Sequence, residues 1–311
     1  MNIITMTLNP AWDVHISAEA LVVGKDNPAT LLRSDAGGKG INVSRALDVA
    51  GVENLCFLVL AAEDGESFLA PLRKMGVNFK YESVEGRVRV NYNVHTKDGE
   101  TVIATQGPTI DSALLSKIEA EICAPLAEGD VLCFNGRLSP TTDKSSVIDM
   151  LIRLGQRGVR VILDSKSITL ADIIAIKPFM VKPNKDELED LFGVRITSDE
   201  ELLRAMRVLS DGGVEQVLVS LGAKGAALLC DEGFFLAETP KIDVISAIGA
   251  GDSMIAGYIC AINCGLPAEE RLRRSVAFGS AACLSEGTMP PESSKIDELY
   301  ELITVQPTAI L

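Results

Sequence analysis

Short, mostly apolar runs rich in β-branched residues recur along the chain: "NIITMTL" (2–8), "LCFLVLA" (55–61), "DVLCF" (130–134), "VRVILD" (159–164), "PFMVKP" (178–183) and "EQVLVSLG" (215–222). Residues 41–50, 67–75, 111–126 and 198–210 instead carry helical spacing. Strands apolar on both faces and separated by helices predict a mostly parallel sheet covered on each side. Beyond about Gly251 the pattern reads as nearly all helical.

Two segments, 11–35 and 86–106, read as strands with no helix between them. In "RVRVNYNV" the residues alternate, with Arg87, Arg89, Asn91 and Asn93 on one face and Val88, Val90, Tyr92 and Val94 on the other. The Asp98-Gly99 pair that follows predicts a turn into another strand. These segments predict a small sheet projecting from an α/β core made of residues 1–10, 36–85 and 107–311. Its polar face is either a solvated edge or a surface turned toward a ligand.

The chain has 311 residues, 47% of them hydrophobic, enough for one large α/β domain with an appendage. Acidic residues outnumber basic ones 43 to 29, for a net charge of -14. That balance argues against nucleic acid and anionic membrane surfaces as partners, though not against small anionic ligands. Seven scattered cysteines without a C-x-x-C pair read as reduced thiols of a cytoplasmic protein. With only His15 and His95 present, a zinc site or a Ser-His-Asp triad has little material. No basic region precedes the apolar N-terminus, which therefore does not read as a signal peptide. The longest uncharged stretch, 253–268, falls short of the ~20 apolar residues a membrane span needs.

Open α/β sheets bind ligands beyond the carboxyl ends of their strands, so the loops there are the places to look for chemistry. In "DAGGKGINVSRAL" (35–47), Gly37 and Gly38 permit close backbone approach to a ligand, and Lys39 adds a cation at a helix start. In "VKPNKDEL" (181–188), Asn184 and Glu187 fit two readings: a helix cap with an acid three residues on, or a carboxylate holding hydrated Mg²⁺. In "AIGAGDSMIAGY" (247–258), the amides of Gly249, Ala250 and Gly251 would point out of a helix N-terminus. Asp252 there is either a plain N-cap or a catalytic group, kept ionised by the helix dipole. The Ser220, Gly222 and Gly225 loop suits nucleotide phosphates or ribose, and equally a plain hairpin. A dinucleotide fingerprint is absent, since Met254 stands at its third glycine position.

In this order, "GGKGINVSRAL", Asn184-x-x-Glu187 and "GAGDSMIAG" resemble the signatures of PfkB-type (ribokinase-like) carbohydrate kinases over essentially the whole chain. "TLNPAWDV", "GRVRVN" and "VSLGAKGA" are similar to the hexose-phosphate branch, which includes 1-phosphofructokinase, tagatose-6-phosphate kinase and the minor 6-phosphofructokinase. The resemblance implies a three-layer α/β/α domain with a mostly parallel sheet, plus a small β-sheet lid through which a homodimer forms. It implies ATP and Mg²⁺, and a ketohexose phosphate as substrate, fructose 1-phosphate foremost. Asp252 would be the base, and Gly249, Ala250 and Gly251 the anion hole. Asp13, Lys25, Gly37, Gly38, Lys39, Asn42, Arg89, Asn91 and Arg137 would bind substrate. Lys182, Asn184, Ser220, Gly222 and Gly225 would serve ATP, and Glu187 would hold Mg²⁺ through water. Two departures stand out: "NGRLSP" puts Arg137, and "DSKS" puts Lys166, where the branch usually carries serine. The reading from another class is a catalytically silent binder of nucleotide or sugar phosphate, which would have no use for a base at Asp252.

Overall fold

The computed structural model describes residues 1–308. In chain order its strands are β1 (Ile3–Thr7), β2 (Ala11–Ala18), β3 (Ala29–Gly37), β4 (Leu55–Ala61), β5 (Phe79–Val84), β6 (Arg89–Thr96) and β7 (Gly99–Ala104). There follow β8 (Val131–Asn135), β9 (Arg160–Asp164), β10 (Met180–Val181), β11 (Gln216–Ser220), β12 (Ala226–Cys230), β13 (Gly233–Ala237) and β14 (Val305–Thr308). The helices are α1 (Lys39–Val49), α2 (Gly65–Lys74), α3 (Ser112–Cys123), α4 (Lys144–Gln156), α5 (Leu170–Ile176), α6 (Lys185–Phe192), α7 (Asp199–Asp211), α8 (Ala250–Asn263), α9 (Ala268–Ala282) and α10 (Ser293–Tyr300).

One ten-stranded sheet carries the fold, in the order β14-β13-β12-β11-β10-β9-β8-β1-β4-β5. From β11 to β5 every pairing is parallel. Its central strands β1 and β8 are buried at every residue, which is why they read as unbroken apolar runs. Alternation splits each strand between two layers. Phe57 and Val59 face the cluster containing Leu115, Met150 and Met206 of α3, α4 and α7. Cys56, Leu58 and Leu60 face Phe68 and Leu72 of α2. On that second side Val43, Tyr258, Leu272 and Leu299 join α1, α8, α9 and α10 against the sheet. The result is a three-layer α/β/α core with a mostly parallel sheet, as expected.

Three antiparallel strands extend the parallel block at one edge. The expectation of nearly all helix beyond Gly251 is thereby corrected, because Val305–Thr308 returns as β14 to pair with β13. These edge strands are short and carry no alternation, so their pattern alone could not separate them from loop.

The two segments without helices join as a second sheet, ordered β3-β2-β6-β7. Here β2 pairs with β6 in parallel although some seventy residues separate them in sequence. Strand β6 begins at Arg89, and Arg87 lies ahead of it, paired with Glu63 at 2.8 Å, so it does not join the polar face predicted for it. His15 and His95, the chain's only histidines, meet in this sheet with Nδ1 and Nε2 3.0 Å apart. Among the described residues no helix is long and apolar enough to cross a membrane.

Candidate active site

A cavity of about 1070 Å³ opens at the carboxyl ends of the parallel strands, roofed on one side by the small sheet. Helix α8 aims its N-terminus into it. Gly249 is the N-cap residue, with φ of 80°, and Asp252 is the third residue of the helix. The N-cap reading of Asp252 is thus excluded by position. Gly249 to Asp252 carry the first-turn amides, which an α-helix leaves without intrahelical partners. The Ala250 amide makes only a long 3.4 Å contact with the Ala247 carbonyl. A Cβ on Gly251 would lie 2.9 Å from the Lys182 ammonium, so a side chain there would displace that cation.

Asp252 is 6% exposed. Its Oδ2 accepts a hydrogen bond of 2.8 Å from Asn42 Nδ2 on α1. Burial pushes the carboxyl up to about 6, against the lowering pull of Lys39; Asp164 adds to the rise, while Asn42 and Lys182 oppose it. Desolvation therefore sets the direction of the shift, and the carboxyl still ionises below neutral pH, as expected. At neutral pH the group remains mostly ionised, poised to accept a proton.

Asp164, at the end of β9, holds the two cations in place. Lys39 Nζ lies 2.8 Å from Asp164 Oδ1, and Lys182 Nζ, only 4% exposed, lies 3.7 Å from Asp164 Oδ2. Burial disfavours the charge on Asp164, yet Lys182 and Lys39 hold its carboxyl below the ordinary range. Lys39 is likewise held above its ordinary value by Asp164 and Asp252, in spite of burial. Sequence reasoning left Asp164 out of the site, although an acid ending an apolar parallel strand was the available signal.

At the small-sheet end, Asp13 on β2 accepts 2.8 Å from Asn91 Nδ2 on β6, and burial raises its carboxyl. Gly37 lies directly beneath, where any Cβ would come within 2.0 Å of Asp13 Oδ2. Arg89 Nε donates to the Asn9 carbonyl at 3.0 Å, and Nη1 lies 3.4 Å from Asn91 Oδ1. Burial depresses Arg89, Asp13 opposes this, and the charge of Arg137 adds to the depression. Exposed Arg137 therefore lies within electrostatic reach of Arg89, although it does not line the cavity itself.

Asn184 and Glu187 form a capping box at the start of α6. Glu187 N–H donates 2.7 Å to Asn184 Oδ1, and Asn184 N–H donates 3.0 Å to Glu187 Oε2. The cap reading holds, and Oε1 of Glu187 is left for a cation. Ser220, Gly222 and Gly225 line the cavity from the turn joining β11 to β12, and that turn is a hairpin. The wall completed by Lys241, Ile242, Val244 and Ile248 had no motif to mark it in sequence. Of the expected binding residues, Gly38, Lys39, Asn42, Arg89, Asn91, Asp13, Lys182, Asn184 and Glu187 do line the cavity. Gly37, behind Asp13, does not, and neither does Lys25, which lies exposed in the segment between β2 and β3.

The chain matches the model of the pfkB family of carbohydrate kinases over residues 6–295. It is 35% identical to a 1-phosphofructokinase of Bacillus subtilis, with 91% of this chain and 93% of that one covered. It is 27% identical to a tagatose-6-phosphate kinase of Staphylococcus epidermidis, covering 97% and 99%. The structure superposes on phosphofructokinase-2 from Escherichia coli, solved with substrates and products, with a TM-score of 0.88 at 25% identity and coverage of 97% and 99%. The family model and the likeness to 1-phosphofructokinase each span nearly the whole chain, and the chain belongs to the pfkB family of carbohydrate kinases.

Proposed function

We propose that this chain transfers the γ-phosphoryl group of ATP to a ketohexose phosphate, with fructose 1-phosphate becoming fructose 1,6-bisphosphate. The observation that carries the reading is Asp252, a buried carboxylate with its pKa near 6 and set among the first-turn amides of α8. As the sugar hydroxyl oxygen bonds to the γ-phosphorus, its proton passes to Asp252, and the bond to the ADP oxygen breaks. The Gly249–Gly251 amides and the ammonium groups of Lys39 and Lys182 lie where charge builds on the transferring group; phosphoryl transfer is mainly positioning and charge stabilisation. Asp13 and Asn91 are placed to hold sugar hydroxyls, and Arg89 suits bidentate binding of the substrate's phosphate. The small sheet acts as a lid that keeps water from the phosphoryl group.

The donor set suits a hard cation: Asp164 Oδ2 is buried without a hydrogen-bond partner, and Glu187 lines the same cavity. Mg²⁺ bound there through water would neutralise nucleotide phosphate charge. We also propose a homodimer through the small sheet, supported by apolar residues it leaves open, such as Leu31 (63% exposed) and Val102 (56%).

Competing substrates separate in one assay. ATP consumption is measured with fructose 1-phosphate, fructose 6-phosphate, tagatose 6-phosphate and unphosphorylated sugars. A preference for tagatose 6-phosphate would replace the proposed substrate, as the Staphylococcus likeness allows. Turnover of none would sink the kinase reading in favour of a silent binder.

A further inference from the structure

Four carboxylate oxygens stand where the proposed site meets a divalent ion, those of Asp164 and Glu187, and most of them are already engaged. Lys39 takes Asp164 Oδ1 at 2.8 Å, and the Asn184 amide takes Glu187 Oε2 at 3.0 Å. Lys166 Nζ lies 3.3 Å from Glu187 Oε1, the oxygen the capping box leaves over. Asp164, Lys182 and Glu187 line both the main cavity and a neighbouring one of about 580 Å³, and Lys166 lines only the neighbour. The Lys166 ammonium therefore reaches the shared carboxylate from the side away from the sugar.

Lys39 and Lys182 are set into the wall by Asp164, but Lys166 is different. Its side chain is 56% exposed and sits on a flexible stem, with Glu187 as the ion-pair partner. We propose that Lys166 is a resident counter-ion to Glu187 that weakens free divalent-ion binding at this site, so that metal arrives chiefly as its complex with the nucleotide. A nucleotide brings its own negative charge to the metal, whereas a free ion must compete with the ammonium for Glu187. Coulomb's law places a unit cation about 6 Å from a dication, in a water-like medium, at a penalty of about tenfold in affinity. The inference rests on the metal-nucleotide reading given above and adds a residue that sets its ion requirement.

The test is a Mn²⁺ titration of the full chain without nucleotide or sugar, reading free Mn²⁺ by its electron paramagnetic resonance signal. Lys166→Ser is expected to bind Mn²⁺ about tenfold more tightly than the unmodified chain. Lys166→Met, which keeps the stem and removes the charge, should do the same. Adding Glu187→Gln to Lys166→Ser should abolish the gain. Unchanged Mn²⁺ affinity in both single variants overturns the inference, as does a gain that survives Glu187→Gln. Because no turnover is read, failure of the substrate assignment would leave this result interpretable by itself.

Discussion

Asn42 gives the sharpest test of how Asp252 is tuned. Its Nδ2 donates to Asp252 Oδ2 at 2.8 Å, and both residues are buried, so the bond is charge-assisted and little screened. It favours the ionised carboxylate, and removing a hydrogen bond to a charged group costs about 1.5–3 kcal/mol. At about 1.36 kcal/mol per pH unit, Asn42→Leu should move the acid limb of kcat/KM to higher pH by about one to two units. The unmodified enzyme should lose activity as pH falls through about 6, where Asp252 takes up its proton. The assay is kcat/KM from pH 5 to 9 for both proteins, with the same sugar phosphate. The substrate's own phosphate, with a second pKa of about 6, titrates equally in both profiles, so the difference belongs to the protein. An acid limb that stays in place while activity falls evenly at every pH would refute the reasoning. Asn42 would then position α8 and not the charge on Asp252.

Three further outcomes follow from the same geometry. Asp252→Asn should abolish turnover yet stabilise the fold: the carboxyl binds its proton more tightly folded than unfolded, with the folded pKa raised from 3.8 to about 6. The cost of holding it ionised, about 3 kcal/mol, is full above about pH 6 and fades toward pH 3.8, so thermal melts should separate at pH 7.5 and converge near pH 4. Gly251→Ala should lower kcat by about 10² with sugar affinity retained, because the new Cβ meets the Lys182 ammonium at the anion hole; an unchanged kcat would remove Lys182 from the chemistry. Arg89→Ala should raise KM for the sugar phosphate at least tenfold while leaving KM for ATP near its starting value, since a charged hydrogen bond is worth about 1.5–3 kcal/mol; equal losses on both substrates would make Arg89 structural.

The parallel core was legible because its strands are buried on both faces, which forces runs such as 55–61 and 131–134 to be apolar throughout. The signature loops were legible because a backbone that must approach a ligand closely spends glycines there, and glycines show in a one-dimensional text. Arg87 was assigned to the sheet's polar face because alternation marks a face without saying where the strand begins; β6 starts two residues later, and Arg87 pairs with Glu63. Lys25 was carried by resemblance alone, and the chain puts it in the exposed segment between β2 and β3.

By itself the sequence determined the layered α/β core, the small polar-faced sheet and the acid at the head of the α8 helix, since each depends on local periodicity or on a residue's own chemistry. Only the tertiary structure decided how ionised Asp252 is, because burial and the charges of Lys39 and Asp164 come from segments up to about two hundred residues away in sequence. It also decided that Glu187 serves as a cap and an ion-pair partner at once, and that Asp164 stands between two lysines. Electrostatic balance among buried groups is set by distances through space, and those are not written along the chain.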